Sequence, residues 1–262
     1  MPEFHAFKLI CLLGLATPSF AAAQSETPAQ ATATSQNLVN IQPRIEQARW
    51  AASTQGDATE LSAIAAELQA MNRNPSGQLA YYVPYWLAYT DYWLANISLK
   101  AGEKPAAAAA ALGEAYSLLT ETPSPDVETY ALMSLVAGLK IAVTTPDQIG
   151  DAIGHARDAM EQAVALDPDN PRVLYARALA DYTTPKEYGG GRVAEKIARS
   201  AIEQSPEPAR ALRPTWGRDA SAALLVRILR AADRGDEADD IYARSIAEYP
   251  NSTALRLLAK TP

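Results

Sequence analysis

Three consecutive glycines followed by an arginine, in the stretch TPKEYGGGR from Thr184 to Arg192, are the residues best suited to chemistry by type and spacing. A glycine-rich turn ahead of a helix can cradle a phosphate on its backbone N–H groups. The surrounding pattern argues against it. A phosphate loop needs G-x4-G-K-[ST] after a buried strand, and a dinucleotide site needs G-x-G-x-x-G between a strand and a helix. Neither spacing is present, and the preceding run Val173 to Tyr182 (VLYARALADY) has helical periodicity. The expectation is therefore a turn between two helices, with one extra helical turn capped at Thr184-Pro185-Lys186-Glu187 and Arg192 opening the next helix. The functional alternative is a carboxylate or phosphate held by the turn's amides together with Arg192 and Lys186.

Catalysis has little else to build on. Beyond residue 23 one histidine remains, His155, and no carboxylates stand near it at metal-ligand spacing, so no metal site is expected. Ser200 and Ser221 lie outside any G-x-S-x-G elbow, and the pairs Asp167/Asp169 and Asp239/Asp240 read as solvated turns and helix faces. No catalytic residue and no cofactor is assigned. An enzyme would need titratable groups converging on one cleft, which nothing in the spacing selects.

Binding chemistry is better supplied. The segment Tyr81 to Trp93, YYVPYWLAYTDYW, carries five tyrosines and two tryptophans in thirteen residues. Tyr82, Trp86, Tyr89 and Trp93 recur at helical spacing as one stripe that fills space between helices. Tyr81, Tyr85 and Tyr92 flank it, and with Tyr89 they are the candidates to line a groove for a peptide, a glycan or an apolar ligand. A second set comes from charge. The net charge is −7, yet Asn40 to Pro171 carries 16 acids against 7 bases, while Arg172 to Arg234 carries 12 bases against 7 acids. Arg172, Arg177 and Arg192 from this basic segment are candidates to dock an anionic partner. Trp216 is expected to open a long helix and pack beneath the proline-rich loop Pro206 to Pro214.

The elements that must position these residues begin after a leader. Leu9 to Thr17 is an apolar run of signal-peptide length, and Phe20-Ala21-Ala22-Ala23 supplies the small-residue cleavage pattern. Residues 1–23 are read as a signal peptide cut after Ala23, which removes Cys11 and leaves no cysteine for disulfides or thiol chemistry. A lipid anchor would need a cysteine directly after the cut. No later run reaches the roughly 20 apolar residues a bilayer span requires. The expected location in a bacterial cell is the periplasm, which with the net acidity disfavours nucleic acid as a partner. Residues 24–37 are polar and low in complexity, and the folded domain is placed at 38–262.

Within that domain, amphipathic segments punctuated by proline and glycine predict an all-α chain. Thr145-Pro146, Ser124-Pro125 and Asn170-Pro171 read as helix caps followed by a proline in the first turn. Ala156, Met160, Ala163 and Pro168 recur in spacing as Ala194, Ala198, Ala201, Pro206 and as Ala238, Tyr242, Ser245, Pro250. A small residue, a filler four later, another small residue seven later and a terminating proline describe the second helix of a helix-turn-helix repeat. Ala108, Leu112, Ala115 and Thr120 form a looser copy, and Ala63, Ala70 and Pro75 a partial one.

These spacings resemble the tetratricopeptide repeat (TPR) family. The family's first-helix pattern survives only as Leu174 and Ala178, and the distances from Pro168 to Pro206 and from Pro206 to Pro250 are longer than the ~34 residues of regular repeats. Over Pro125 to Leu229, the succession LDPDNPRVLYARALADY, TPKEYGGG and PTWGRDASAALL is also similar to a group of bacterial exported repeat proteins, a likeness that brings no activity with it. The resemblance implies a right-handed α-solenoid of four to five TPR-like hairpins with a concave binding face. It implies a non-enzymatic scaffold for a protein or peptide partner. The alternative is an accessory of a transport system holding an anionic or small apolar ligand, whose mark would be a cavity lined by the aromatic stripe.

Overall fold

The computed structural model describes residues 38–102, 105–205 and 212–259. The leader, residues 24–37 and Pro206 lie outside these. Every regular element described is helical. We number the α-helices α1 (Ile41–Gln55), α2 (Thr59–Met71), α3 (Leu79–Lys100), α4 (Pro105–Thr120), α5 (Val127–Lys140), α6 (Ile149–Leu166), α7 (Pro171–Thr183), α8 (Ala194–Glu203), α9 (Arg218–Ala231), α10 (Gly235–Glu248) and α11 (Thr253–Arg256). Consecutive pairs pack as five antiparallel hairpins, α1/α2 through α9/α10, and the short α11 follows. This is an all-α solenoid of TPR-like hairpins.

The alanine pattern places the second helices. Ala163, Ala194, Ala198, Ala201, Ala238 and Ser245 are buried where α6, α8 and α10 cross their partners, and Ala108, Leu112 and Ala115 do the same for α4. In α2 the register differs from expectation. Ala63 and Ala70 are exposed, and Leu61, Ile64 and Leu68 make the contact, because the larger side chains supply more burial per turn.

Capping follows the sequence only in part. Asn170 accepts from the Arg172 amide with Pro171 in the first turn, as its type demands. For α5 the cap is Asp126, which accepts from Glu128 N and Thr129 N, and not Ser124, which is left at φ 52°. Thr145 to Gln148 forms a separate turn, and α6 begins one residue later at Ile149.

The first helices, α1, α3, α5, α7 and α9, touch one another in chain order along the inner side of the array. The array then closes. α11 packs against both α9 and α1, where Thr253 Oγ1 donates to the Glu46 carbonyl at 2.7 Å, Ser252 Oγ donates to Asp219 Oδ2 at 2.6 Å, and Arg256 lies 3.8 Å over the Trp50 ring. The second helices form the outer layer. There α8 and α10 are bridged by Arg199 to Glu237, and Arg234 reaches back to Glu195.

Candidate binding site

The aromatic helix α3 is not the wall of an open groove. Tyr85, Tyr89 and Tyr92 are 1%, 2% and 3% exposed, so the proposed lining is interior. The reason lies in what surrounds it: α1, α2, α4 and α5 all pack on α3, and a helix apolar on every side is a buried one. The remaining side is filled by the loop ahead of α9. Trp216 stacks on Tyr89 at 5.4 Å, meets Tyr175 edge-on and donates its Nε1 to the Tyr85 hydroxyl at 3.1 Å. Trp86 Nε1 donates to the Leu212 carbonyl at 3.0 Å, and the Thr215 amide to Gln42 Oε1 at 2.8 Å. Trp216 thus sits at the centre of the array, and not merely beneath a surface loop.

The space that remains beside Trp216 is a cavity of about 20 Å³, lined among others by Glu46, Arg49, Tyr92, Tyr175 and Asp219. It has room for one water. A cavity of that size does not provide the ligand chamber that the transport-accessory expectation required. Its charges are engaged with one another. Arg49 lies 3.2 Å over Trp93 and donates to Glu46 Oε1 at 2.5 Å; burial is the largest influence and opposes its charge, and Glu46, Tyr89, Tyr175 and Asp219 together outweigh it, holding the guanidinium above its ordinary value. Burial, and then the nearby Glu46, push the Asp219 carboxyl up against the hydrogen bonds of Ser252 and the Gly217 and Ala220 amides. Burial pushes the Tyr85 and Tyr89 hydroxyls well above 10.

Two other expected contact residues are structural. Arg172 is 2% exposed and bidentate to Glu128, with Nε to Oε2 at 2.7 Å and Nη2 to Oε1 at 2.5 Å, and it also donates to the Trp216 carbonyl. An arginine so engaged offers nothing to a docking partner. Tyr81 is half-buried, its hydroxyl donating to Asp126 and lying 2.8 Å from Thr129 Oγ1, which ties α3 to the cap of α5.

The triglycine is a hairpin turn. Lys186–Tyr188 makes one 3-10 turn, Gly189 and Gly191 take φ of 90° and 73°, and a Cβ on Gly190 would fall 1.9 Å from the Thr184 carbonyl oxygen. The amides at the start of α8 are not available to an anion. Asp181 Oδ2 accepts from Val193 N at 2.9 Å and Ala194 N at 2.8 Å, so a carboxylate of the chain already occupies that position. Arg192 is exposed and lies over Gly189, outside any concavity described.

Arg177 is the sequence candidate that does face open space. It lines a groove of about 300 Å³ between α7 and α8 with Asp169, Leu174, Val193, Lys196, Ile197 and Ser200. The groove exists because α6 packs broadly on α5 but only grazes α7 and scarcely touches α8. Its lining comes wholly from the fourth hairpin and the residues leading into its two helices. Neither Arg177 nor Lys196 makes an ion pair or hydrogen bond among the described residues, whereas Arg44, Arg172, Arg199, Arg218, Arg230 and Arg234 are all paired. Val193 is 45% exposed at the rim, and Leu166, the last residue of α6, is 56% exposed. Lys196, Ile197 and Ser200 were legible only as one amphipathic face of AEKIARSAIE; nothing local in the sequence shows that this face is left uncovered.

No protein-family model matches the chain, and no curated protein matches it. Among solved structures it is similar to the HusA haemophore from Porphyromonas gingivalis, with a TM-score of 0.55 and 22% identity, covering 71% of this chain and 92% of that one. A second likeness, to a thermophilic TPR protein of Thermus thermophilus, has a TM-score of 0.48 and 21% identity, covering 81% of this chain and 95% of that one. The HusA likeness is one of fold: a helical array. Among the described residues no group of three or more His, Cys, Asp or Glu could hold a metal ion, and no helix is long and apolar enough to cross a membrane. His155 is exposed and stacks on Tyr116 at 5.3 Å, joining outer helices α6 and α4.

Proposed function

We propose that the chain is an exported, periplasmic binding scaffold for a protein or peptide partner, acting after removal of the leader at residues 1–23, and that it binds on its outer surface. The observation that carries this reading is the contrast between the two faces. The inner side is filled by Trp216 and fastened by α11, while the groove between α7 and α8 keeps two cations that are unpaired among the described residues over an apolar floor. A helical-repeat fold suits such work, because each hairpin adds a row of side chains to a continuous surface. The fold likeness to a haemophore, a binding protein by its name, is in keeping with a binding scaffold.

The test is a comparison of captures. The immobilised chain and its R177E/K196E variant are challenged with the same periplasmic extract, and retained proteins and small molecules are identified by mass spectrometry. A protein held by the wild type and released by charge reversal supports the reading. Identical sets of retained proteins for the two would refute it.

A further inference from the structure

The α7–α8 groove has an internal order that specifies what it can hold. The two helices run antiparallel, and the Asp181 carboxylate at the end of α7 caps the start of α8. Counting back from that fixed point sets Arg177 across from Lys196 and Ile197, and Leu174 across from Ser200. Asp169, in the turn before α7, lies beyond Leu174. One end of the groove therefore carries two cations, Arg177 and Lys196, that have no partner among the described residues. Its middle is Leu174 and Ile197, with Val193 at the rim, and its other end offers a hydroxyl and a carboxylate.

We propose that this groove binds a short acidic and apolar peptide segment of a partner protein, with a Glu or Asp side chain clamped between Arg177 and Lys196. This rests on the scaffold reading above and names its ligand class. Two unpaired cations favour a carboxylate, which they can hold through charge-assisted hydrogen bonds. The apolar middle takes one aliphatic side chain. The far end separates a peptide from a simple fatty-acid anion: the exposed Asp169 carboxylate can accept from the N–H donors of a peptide backbone, whereas an alkyl chain offers it none and only displaces its water. A volume of about 300 Å³ matches a few side chains of an extended segment and is at the lower end of the size of small-molecule sites. The cations are solvent-accessible at the groove, so their contribution falls with salt.

The probe is a fluorescein-labelled hexapeptide, Glu-Leu-Glu-Ile-Glu-Leu with blocked ends, titrated into the full chain and followed by fluorescence anisotropy. The same peptide with lysine for every glutamate and sodium decanoate as competitor complete the set. Saturable binding of the acidic peptide is expected, weakened at least tenfold in R177E/K196E and in 0.5 M sodium chloride. The lysine peptide should not bind, and decanoate should not compete. Arg73→Glu, an exposed cation far from the groove, should leave binding unchanged, and matching helical circular dichroism shows that each variant is folded. Binding unaffected by R177E/K196E, or equal binding of the lysine peptide, overturns the proposal. Displacement by decanoate with no peptide selectivity would assign the groove to a free carboxylate and overturn the peptide assignment. If the acidic peptide fails while R177E/K196E still releases a captured protein, the ligand class is wrong and the scaffold reading stands. Failure of both removes the two together.

Discussion

The buried pair of Glu128 and Arg172 makes the most demanding test of this architecture, because it joins α5 to α7 and both to the central loop. The side chains are 3% and 2% exposed, and the pair has two hydrogen bonds between its members, a third from Asn170 Nδ2 to Glu128 and a fourth from Arg172 to the Trp216 carbonyl. Removing one member leaves the other charged and out of water, which costs about 3–5 kcal/mol. For an array of this size, each kcal/mol moves Tm by about 2–4 °C, so Glu128→Leu and Arg172→Met alone should each lower Tm by roughly 6–20 °C. The double substitution replaces two charges by apolar groups of similar length and should recover most of that loss. The recovery is incomplete, because the Trp216 carbonyl and the Asn170 amide keep no partner, at about 1 kcal/mol each. Thermal unfolding followed by circular dichroism, arranged as a double-mutant cycle, reads the coupling directly. If the single changes shift Tm by no more than 2 °C, or their effects simply add, Arg172 is not locked in the core, and the surface role expected from the sequence returns.

The central loop and the triglycine turn make separate predictions, as does one strained carboxyl. Trp216→Ala removes a ring packed on Tyr89 and Tyr175 and leaves the Tyr85 hydroxyl without its donor, and it should cost about 3–5 kcal/mol in urea denaturation. Gly190→Ala should cost about 2 kcal/mol or more because the Thr184 carbonyl must move, and Gly191→Ala about 1 kcal/mol, for its positive φ alone. If the two were equal, the close approach at Gly190 would not matter. Asp91 on α3 is pushed up to about 7, first by burial and then by Glu114. The folded state therefore binds its proton more tightly than the unfolded chain does, and stability falls as pH rises from about 4 to about 7. Asp91→Asn removes that loss: its gain in Tm should be largest above pH 7 and vanish near pH 3. A gain independent of pH would show that Asp91 is solvated.

The repeat architecture was legible in the sequence because a small residue, a filler four later and another small residue seven later are a local signal. They placed α8 and α10 in register, and in α6 they placed Ala163 in the core, where Ala152 and Ala159 and not Ala156 complete the buried face; the polar residue before Pro171 placed the cap of α7. The partial copy in α2 misled for a physical reason: alanine is a good helix former on any face, so Ala63 and Ala70 could be solvent-facing while Leu61, Ile64 and Leu68 took the core. The triglycine turn was legible because its φ requirements are local. The fate of the aromatic helix was not. Whether Tyr85, Tyr89 and Tyr92 line a groove or a core depends on what the chain lays over them, and that is Trp216, more than 120 residues later. Arg172 likewise finds its partner 44 residues away. Of the seven candidate contacts, Arg177 alone faces the groove, because its surroundings depend on how far α6 splays from α8, a property of packing between hairpins.

Closure of the array by α11 changes how its stability is distributed. An open solenoid is held by contacts between neighbouring repeats, so losing its last element should weaken only the repeat beside it. Here the last element touches the first. Ser252 holds Asp219 at the start of α9, Thr253 holds the Glu46 carbonyl on α1, and Glu46 in turn holds Arg49 and accepts from the Tyr89 hydroxyl. A chain ending at Glu248 should therefore lose amide protection at two places distant in sequence, α1 and the turn from Leu212 into α9, while α4 to α6 remain as protected as before. Hydrogen exchange read by mass spectrometry resolves these segments. Loss confined to the residues next to the truncation would mean that α11 merely caps α10. Loss in α1 as well would mean that the filled centre depends on the closed form.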